Sequence, residues 1–347
     1  MVLKTKVNKT YNYILRLLIV ILAYGFIYKQ IFHRRDLDDV FEIIRSSISS
    51  LNFSLLLSLI FVLMILNWGI ESGKWKFLIS KIEKISMIKS MEAVLTGITI
   101  SAFTPNRVGE YFGRVFILDK ANPLKGILIT IIGSISQFLV TVTLGSIGLL
   151  LFVISYQEFI MQFFFLNDKM FYWLYSGMIF VVISVDIFLL LFYFNVPFVT
   201  LYVNKLIRDN WTRIKGYISV LGEYRYSELL LVFLLSLIRY MIFTAQFILL
   251  LRLFSVNIPY LQAMIILSMI YFIITVIPTV ALTELGIRGS VSLYFLGMYF
   301  DKFQVLTDQI KFGIVAASSA LWLINLVLPA LIGTIFVFKL KFFKKRS

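Results

Sequence analysis

The chain has 347 residues, 60% of them hydrophobic, with a mean hydropathy of +0.92, a formal net charge of +15 and no cysteine. Soluble domains are typically about 45–50% apolar, so a soluble fold of this length cannot hide so much apolar surface, and the composition specifies an integral membrane protein. The missing cysteines exclude disulfides, thiolate metal sites and cysteine nucleophiles, and no basic stretch carries the stacking aromatics of a nucleic-acid binder.

A bilayer core of about 30 Å needs about 20 apolar helical residues to cross it. Six segments reach that length, at about 12–32, 51–70, 125–154, 171–194, 229–254 and 309–338. The first follows Lys4, Lys6 and Lys9, but no small-residue cleavage site comes after it, so it reads as a retained span and not as a secretory signal. Segment 32–50 has Val40, Phe41, Ile43 and Ile44 at near-helical spacing and reads as an interfacial helix. It also holds the only histidine, His33, read as solvated. Segment 195–227 carries Trp211, Tyr217, Tyr224 and five basic residues, and suits an anionic leaflet.

Two further apolar regions, about 88–118 and 258–299, are each the wrong length for one crossing. The first contains Thr104-Pro105-Asn106-Arg107-Val108-Gly109-Glu110-Tyr111-Phe112-Gly113-Arg114, and the second runs from Pro278 through Glu284-Leu285-Gly286-Ile287-Arg288-Gly289. Each region is expected to split at its proline into two pieces of about 13–20 residues. If both enter and leave on one side as re-entrant pairs, the lysines and arginines at 74–89, 120–125, 205–225 and 339–346 share one side with the N-terminus. Arg34, Arg35, Arg45, Lys169 and Lys302 then lie on the other. The positive-inside rule favours this arrangement, with both termini in the cytoplasm. The expected fold is therefore an all-α single polytopic membrane domain over 1–347, with six full spans and two re-entrant broken helices. Repeat A, about 12–154, and repeat B, about 171–338, are expected to be inverted copies of each other, an arrangement that places a transporter's substrate site at the interrupted helices.

Charges at bilayer depth are costly, so they face a cavity or one another. Arg107, Glu110 and Arg114 fall on one face of a helix, where Glu110 is placed to bridge both arginines. Glu284 and Arg288 repeat the i, i+4 relation behind Pro278. A helix that starts inside the membrane presents free amides to an anion, and arginine adds bidentate phosphate binding. The candidate substrate site is therefore Arg107, Glu110, Arg114, Arg239, Glu284 and Arg288. Pro105 and Pro278 break the helices, while Gly109, Gly113, Gly286 and Gly289 permit close approach. Buried structural ion pairs are the alternative for the charges, and Arg239 is placed either to pair with Glu284 or to hold ligand. Glu71 and Glu92 are read as cytoplasmic-boundary residues and Asp186 as a lone acid within a span, with proton coupling as their functional alternative. Gln137, Gln246 and Asn325 are read as interhelical hydrogen-bond partners.

No Walker A, zinc-binding histidine pair or Gly-x-Ser-x-Gly elbow is present, so no catalytic residue, metal or cofactor is assigned. A carboxylate-and-arginine site acting on a lipid phosphate, with Glu110 or Glu284 as base, is the enzymatic alternative.

At these two motifs the chain resembles the transmembrane part of the lysylphosphatidylglycerol synthase/flippase-like membrane family, over roughly residues 10–340. The resemblance implies an all-helical bundle with re-entrant segments that moves phospholipid between leaflets. In the family's namesakes a separate soluble domain makes the aminoacylated lipid. This sequence shows no such domain before Ser347, so the expectation is translocation without lipid aminoacylation. The expected partners are an anionic phospholipid or lipid-linked glycan and lipid or glycan synthesis enzymes, in a bacterial inner membrane.

Overall fold

The computed structural model describes residues 51–340 apart from 105–106, 208–210 and 278–280, together with Ile14, Leu17, Leu18, Ile21 and Gly25. The expected interfacial helix at 32–50, and most of the span at 12–32, lie outside the described residues. All described elements are helices: α1 Leu51–Ile79, α2 Met87–Ser101, α3 Gly109–Val115, α4 Pro123–Ser155, α5 Gln157–Phe164 and α6 Asp168–Phe194. There follow α7 Val196–Leu206, α8 Thr212–Ile218, α9 Tyr226–Leu253, α10 Tyr260–Val276, α11 Ala281–Lys302 and α12 Asp308–Val337, the last containing a π-helical turn at Leu323–Val327. Among the described residues five helices, α1, α4, α6, α9 and α12, are long and apolar enough to cross a membrane, and the chain is a multi-pass helical membrane protein.

Local sequence sets where these helices start and stop. The side chains of Ser86, Asn122, Asn167 and Thr307 accept the backbone N–H groups of Lys89, Leu124, Met170 and Ile310, which satisfies first-turn donors of α2, α4, α6 and α12. Pro123 opens α4, where its missing N–H costs nothing. Both expected helix breaks are present, between α2 and α3 and between α10 and α11. Proline cannot continue a helix without losing a donor and clashing with the preceding turn. Pro105 and Pro278 fall in the two gaps but lie outside the described residues. Arg107 follows the first gap with φ 55°, in the left-handed region. The pieces after the breaks differ from expectation: α3 has 7 residues and α11 has 22.

Two sets of helices, α1–α4 and α9–α12, pack in a reciprocal pattern. α1 lies against α9, the first piece of each broken helix packs on the last helix of the other set, and α2 and α10 are the two such pieces. On α4, a Cβ at Gly145 would collide with Phe272 of α10, and one at Gly148 would lie 2.9 Å from the Ile265 carbonyl. On α12, a Cβ at Gly333 would overlap the Leu95 carbonyl of α2, and Thr99 donates to the Ala330 carbonyl at 2.7 Å across the same contact. Small residues at such crossings let the backbones approach. The buried apolar side chains form two clusters, one around α2 and one around α10.

Each broken pair begins and ends at one end of the bundle. Glu83, before α2, accepts the backbone N–H groups of Asp119, Lys120 and Ala121, after α3. Lys81 reaches Glu228 at the start of α9, and Lys339 beyond α12 reaches Glu92. Tyr224, expected in a lipid-facing loop, is instead buried and donates to the Leu78 carbonyl, whereas Trp211 is exposed. At the opposite end Lys302 donates to the Ser155 carbonyl, which joins the end of α11 to the end of α4. Helix α6 stands at the periphery with Trp173, Phe180 and Phe188 exposed, as expected of a side facing lipid.

Candidate functional site

The expected span 51–70 continues in the structure to Ile79, because Glu71, Ser72, Lys74, Trp75 and Leu78 all face the interior. Lys74, assigned from sequence to a cytoplasmic loop, is 1% exposed. That assignment is corrected: Lys74 lies on the buried face of α1, with Glu71 and Asn67 one and two turns earlier. Glu71 is the centre of a charge cluster. It accepts from Lys74 at 2.8 Å and from Arg114 at 2.7 Å, and it also pairs with Arg239. Lys74 reaches Ser236 Oγ at 3.2 Å. Arg239 donates through Nε to Asn67 and lies over the Trp68 ring. Arg114, itself 3% exposed, also pairs with Glu110.

A second cluster joins the two helix breaks. Arg107, after the first break, donates to Glu284 at 2.8 Å, and Arg288, one turn beyond Glu284, donates through Nε at 2.9 Å to the same oxygen. Glu284 is buried, while the Arg107 side chain is 41% exposed. Both clusters open on a cavity of about 610 Å³, lined by Glu71, Lys74 and Arg239 from one and by Arg107, Glu284 and Arg288 from the other. A smaller cavity of about 200 Å³ shares Arg107, Arg239 and Arg288 and adds Trp322. The indole N–H groups of Trp68 and Trp322 are buried without a protein partner. Unpaired buried donors are rare, and here they border space that a ligand or water can fill.

Five of the six candidate residues, Arg107, Glu110, Arg239, Glu284 and Arg288, line the larger cavity, and the sixth, Arg114, backs it through Glu71 and Glu110. The pairings differ from those expected. Glu110 pairs with Arg114 while Arg107 turns to Glu284 across the two breaks, and Arg239 pairs with Glu71 and not with Glu284. The physical reason is proximity between helices that the sequence separates: α1 and α9 lie side by side, so Glu71 is nearer to Arg239 than any acid of the second motif. At the first motif one of the expected free amides is occupied, since the Thr104 hydroxyl accepts the Gly109 N–H at 2.9 Å.

Gly109 and Gly113 do serve close approach, since a Cβ at either would lie under 3.0 Å from Ile100 or Gly97 of α2. Gly289 does not, because its nearest neighbour would be Val315 at 4.0 Å, an ordinary contact. Gly286 is half-buried, and Pro105 and Pro278 lie outside the described residues. Glu92 sits at the bundle end as expected, whereas Glu71 does not. Asp186 accepts from Ser146 away from the cavity. Gln137, Gln246 and Asn325 make interhelical bonds to Ser236, Ile60 and Asn67.

Glu71, Lys74 and Asn67 were missed as site residues. Their signal was in the chain: positions 67, 71 and 74 share one helical face. A hydropathy window closes the span at the first charge and conceals that face.

A polytopic helical bundle with interrupted helices meeting at an arginine-rich cavity defines a multi-pass membrane protein with a charged interior. Residues 13–307 match the family described as lysylphosphatidylglycerol synthase TM region, and the chain belongs to that family. No curated protein and no solved structure matches the chain.

Proposed function

We propose that the protein binds the phosphate-bearing headgroup of a lipid, or of a lipid-linked glycan precursor, in this cavity and moves it between the leaflets of a bacterial inner membrane. The observation that carries the reading is the convergence of Arg107, from the first helix break, Arg239, from α9, and Arg288, from α11, on one cavity. Guanidinium groups in a low-dielectric setting bind phosphate oxygens as charge-assisted pairs. Glu71 and Glu284 hold these arginines in place when no ligand is bound, so structural pairing and ligand binding use the same residues. Arg107 and Glu284 tie one helix break to the other, and an anion that competes for Arg107 loosens that tie. In a membrane, each broken pair would be re-entrant and the two sets of helices inverted copies, with the cavity between them. Movement would be facilitated or ion-coupled, and no bond of the lipid would be made or broken.

The test is leaflet exchange of fluorescent anionic and zwitterionic lipids in liposomes holding the purified protein. Exchange that prefers the anion, and that Arg107→Ala and Arg288→Ala abolish in folded protein, is the expected result. Exchange unchanged by both substitutions would overturn the assignment of the site. For the alternative of a transferase acting on a lipid phosphate, Glu284→Gln would stop chemical turnover while lipid binding survived.

A further inference from the structure

Charge across the cavity is unbalanced in a way that specifies the headgroup. Among the described residues, the walls and their ion-pair partners supply five cations, Lys74, Arg107, Arg114, Arg239 and Arg288, against three carboxylates, Glu71, Glu110 and Glu284, an excess of two. The excess is divided evenly. Lys74, Arg114 and Arg239 exceed Glu71 and Glu110 by one, and Arg107 and Arg288 exceed Glu284 by one. An uncompensated charge is costly in proportion to its distance from water. The molecule holds one on each side of the same space, the first largely buried and the second shared by partly exposed Arg107 and Arg288. Arg288 engages Glu284 through Nε and lines the cavity, and among the described residues no hydrogen-bond partner meets its two terminal amino groups.

We propose that the ligand of this cavity carries two negative charges on its phosphate headgroup, as a lipid phosphomonoester or a lipid diphosphate does, and is preferred over a phosphodiester with one. The inference rests on the anion-binding reading above. A dianion neutralises both clusters at once, with oxygens enough to meet Arg288 on one side and Arg239 on the other. A phosphodiester balances one cluster and leaves the other uncompensated.

Calorimetric titration of the full chain in zwitterionic nanodiscs tests this, using water-soluble dihexanoyl phosphatidic acid and dihexanoyl phosphatidylglycerol. Phosphomonoesters lose their second charge near about pH 6, so titrations at pH 8.5 and pH 5 compare the two ionisation states in unaltered protein. At pH 8.5 the monoester is expected to bind at least about tenfold more tightly, a difference of about 1.4 kcal/mol. At pH 5 the two ligands are expected to bind alike. Arg288→Ala and Arg239→Gln are each expected to shrink the pH 8.5 preference to less than about threefold. Equal binding of both lipids at pH 8.5, lost in Arg288→Ala, would sink the dianion inference and leave the anion site standing. Binding of neither lipid, or binding that neither substitution weakens, would sink both.

Discussion

Glu71 holds three cations on one carboxylate, which makes it the residue whose loss should cost most. Removing one partner of a buried ion pair strands the others without water, at about 3–5 kcal/mol. Glu71→Gln is therefore expected to lower the thermal midpoint of the detergent-solubilised protein by several degrees or to abolish folded yield. Pairing it with Arg239→Gln removes one stranded charge, so the double variant should recover part of the loss, a coupling that a double-mutant cycle reads directly. Glu83 offers a cleaner titration, since it lies in the connection between α1 and α2. Burial raises the pKa of its carboxyl, but the Lys89 ammonium and three backbone N–H groups outweigh this and hold it at about 2 against an ordinary 4.5. A depressed carboxylate contributes stability that is full above its unfolded pKa and fades as pH falls toward the folded one. The wild type should thus lose stability relative to Glu83→Gln between about pH 5 and pH 2, and melting curves of the two across that window should converge.

At the scale of the element, the broken helices depend on close contacts with their partners. Gly333 on α12 meets the Leu95 carbonyl of α2, and backbone cannot yield as a side chain does. Gly333→Ala should therefore push α12 from α2, weaken the Thr99–Ala330 hydrogen bond and cost about 1–3 kcal/mol, the usual penalty of overpacking. Gly289→Ala, with only Val315 near, should be tolerated, and thermal melts of the two variants side by side test the contrast. The breaks themselves were legible, because proline and the polar residues after it interrupt an apolar run whatever the surroundings. The length of α3 was not, because its end is fixed by packing against α2 and α4 and no sequence signal marks it.

For the whole molecule, the ends of the bundle predict sidedness. Asn122 and Ser80 are exposed at the end where Glu83 meets the α3–α4 connection, and Gln304 and Asn257 are exposed at the other. The chain has no cysteine of its own, so single cysteines at these positions can be labelled without a background. Positions 80 and 122 should react with an impermeant thiol reagent only from the cytoplasm, and 257 and 304 only from outside. Labelling of 80 and 122 from opposite faces would mean that the first broken pair crosses the membrane and that the re-entrant reading is wrong.

Composition alone fixed the class of the molecule, since apolar content and run length respond only to the solvent the chain must meet. The capping side chains at 86, 122, 167 and 307 were identified by the structure, whereas both breaks followed from local chemistry, a proline ahead of each charged motif. Five cavity-lining residues were found for the same reason, because a charge inside an apolar run stands out without a partner in view. Which charge meets which was decided only by the tertiary structure. Arg239 is 168 residues from Glu71 and Arg107 is 177 from Glu284, about half the chain in each case; ion pairing depends on distance in space, which helix packing sets. Glu71 was read as a boundary residue and Lys74 as a loop residue because burial, too, is a property of neighbours: a lysine just past an apolar run looks like a loop residue until α9 is laid against it.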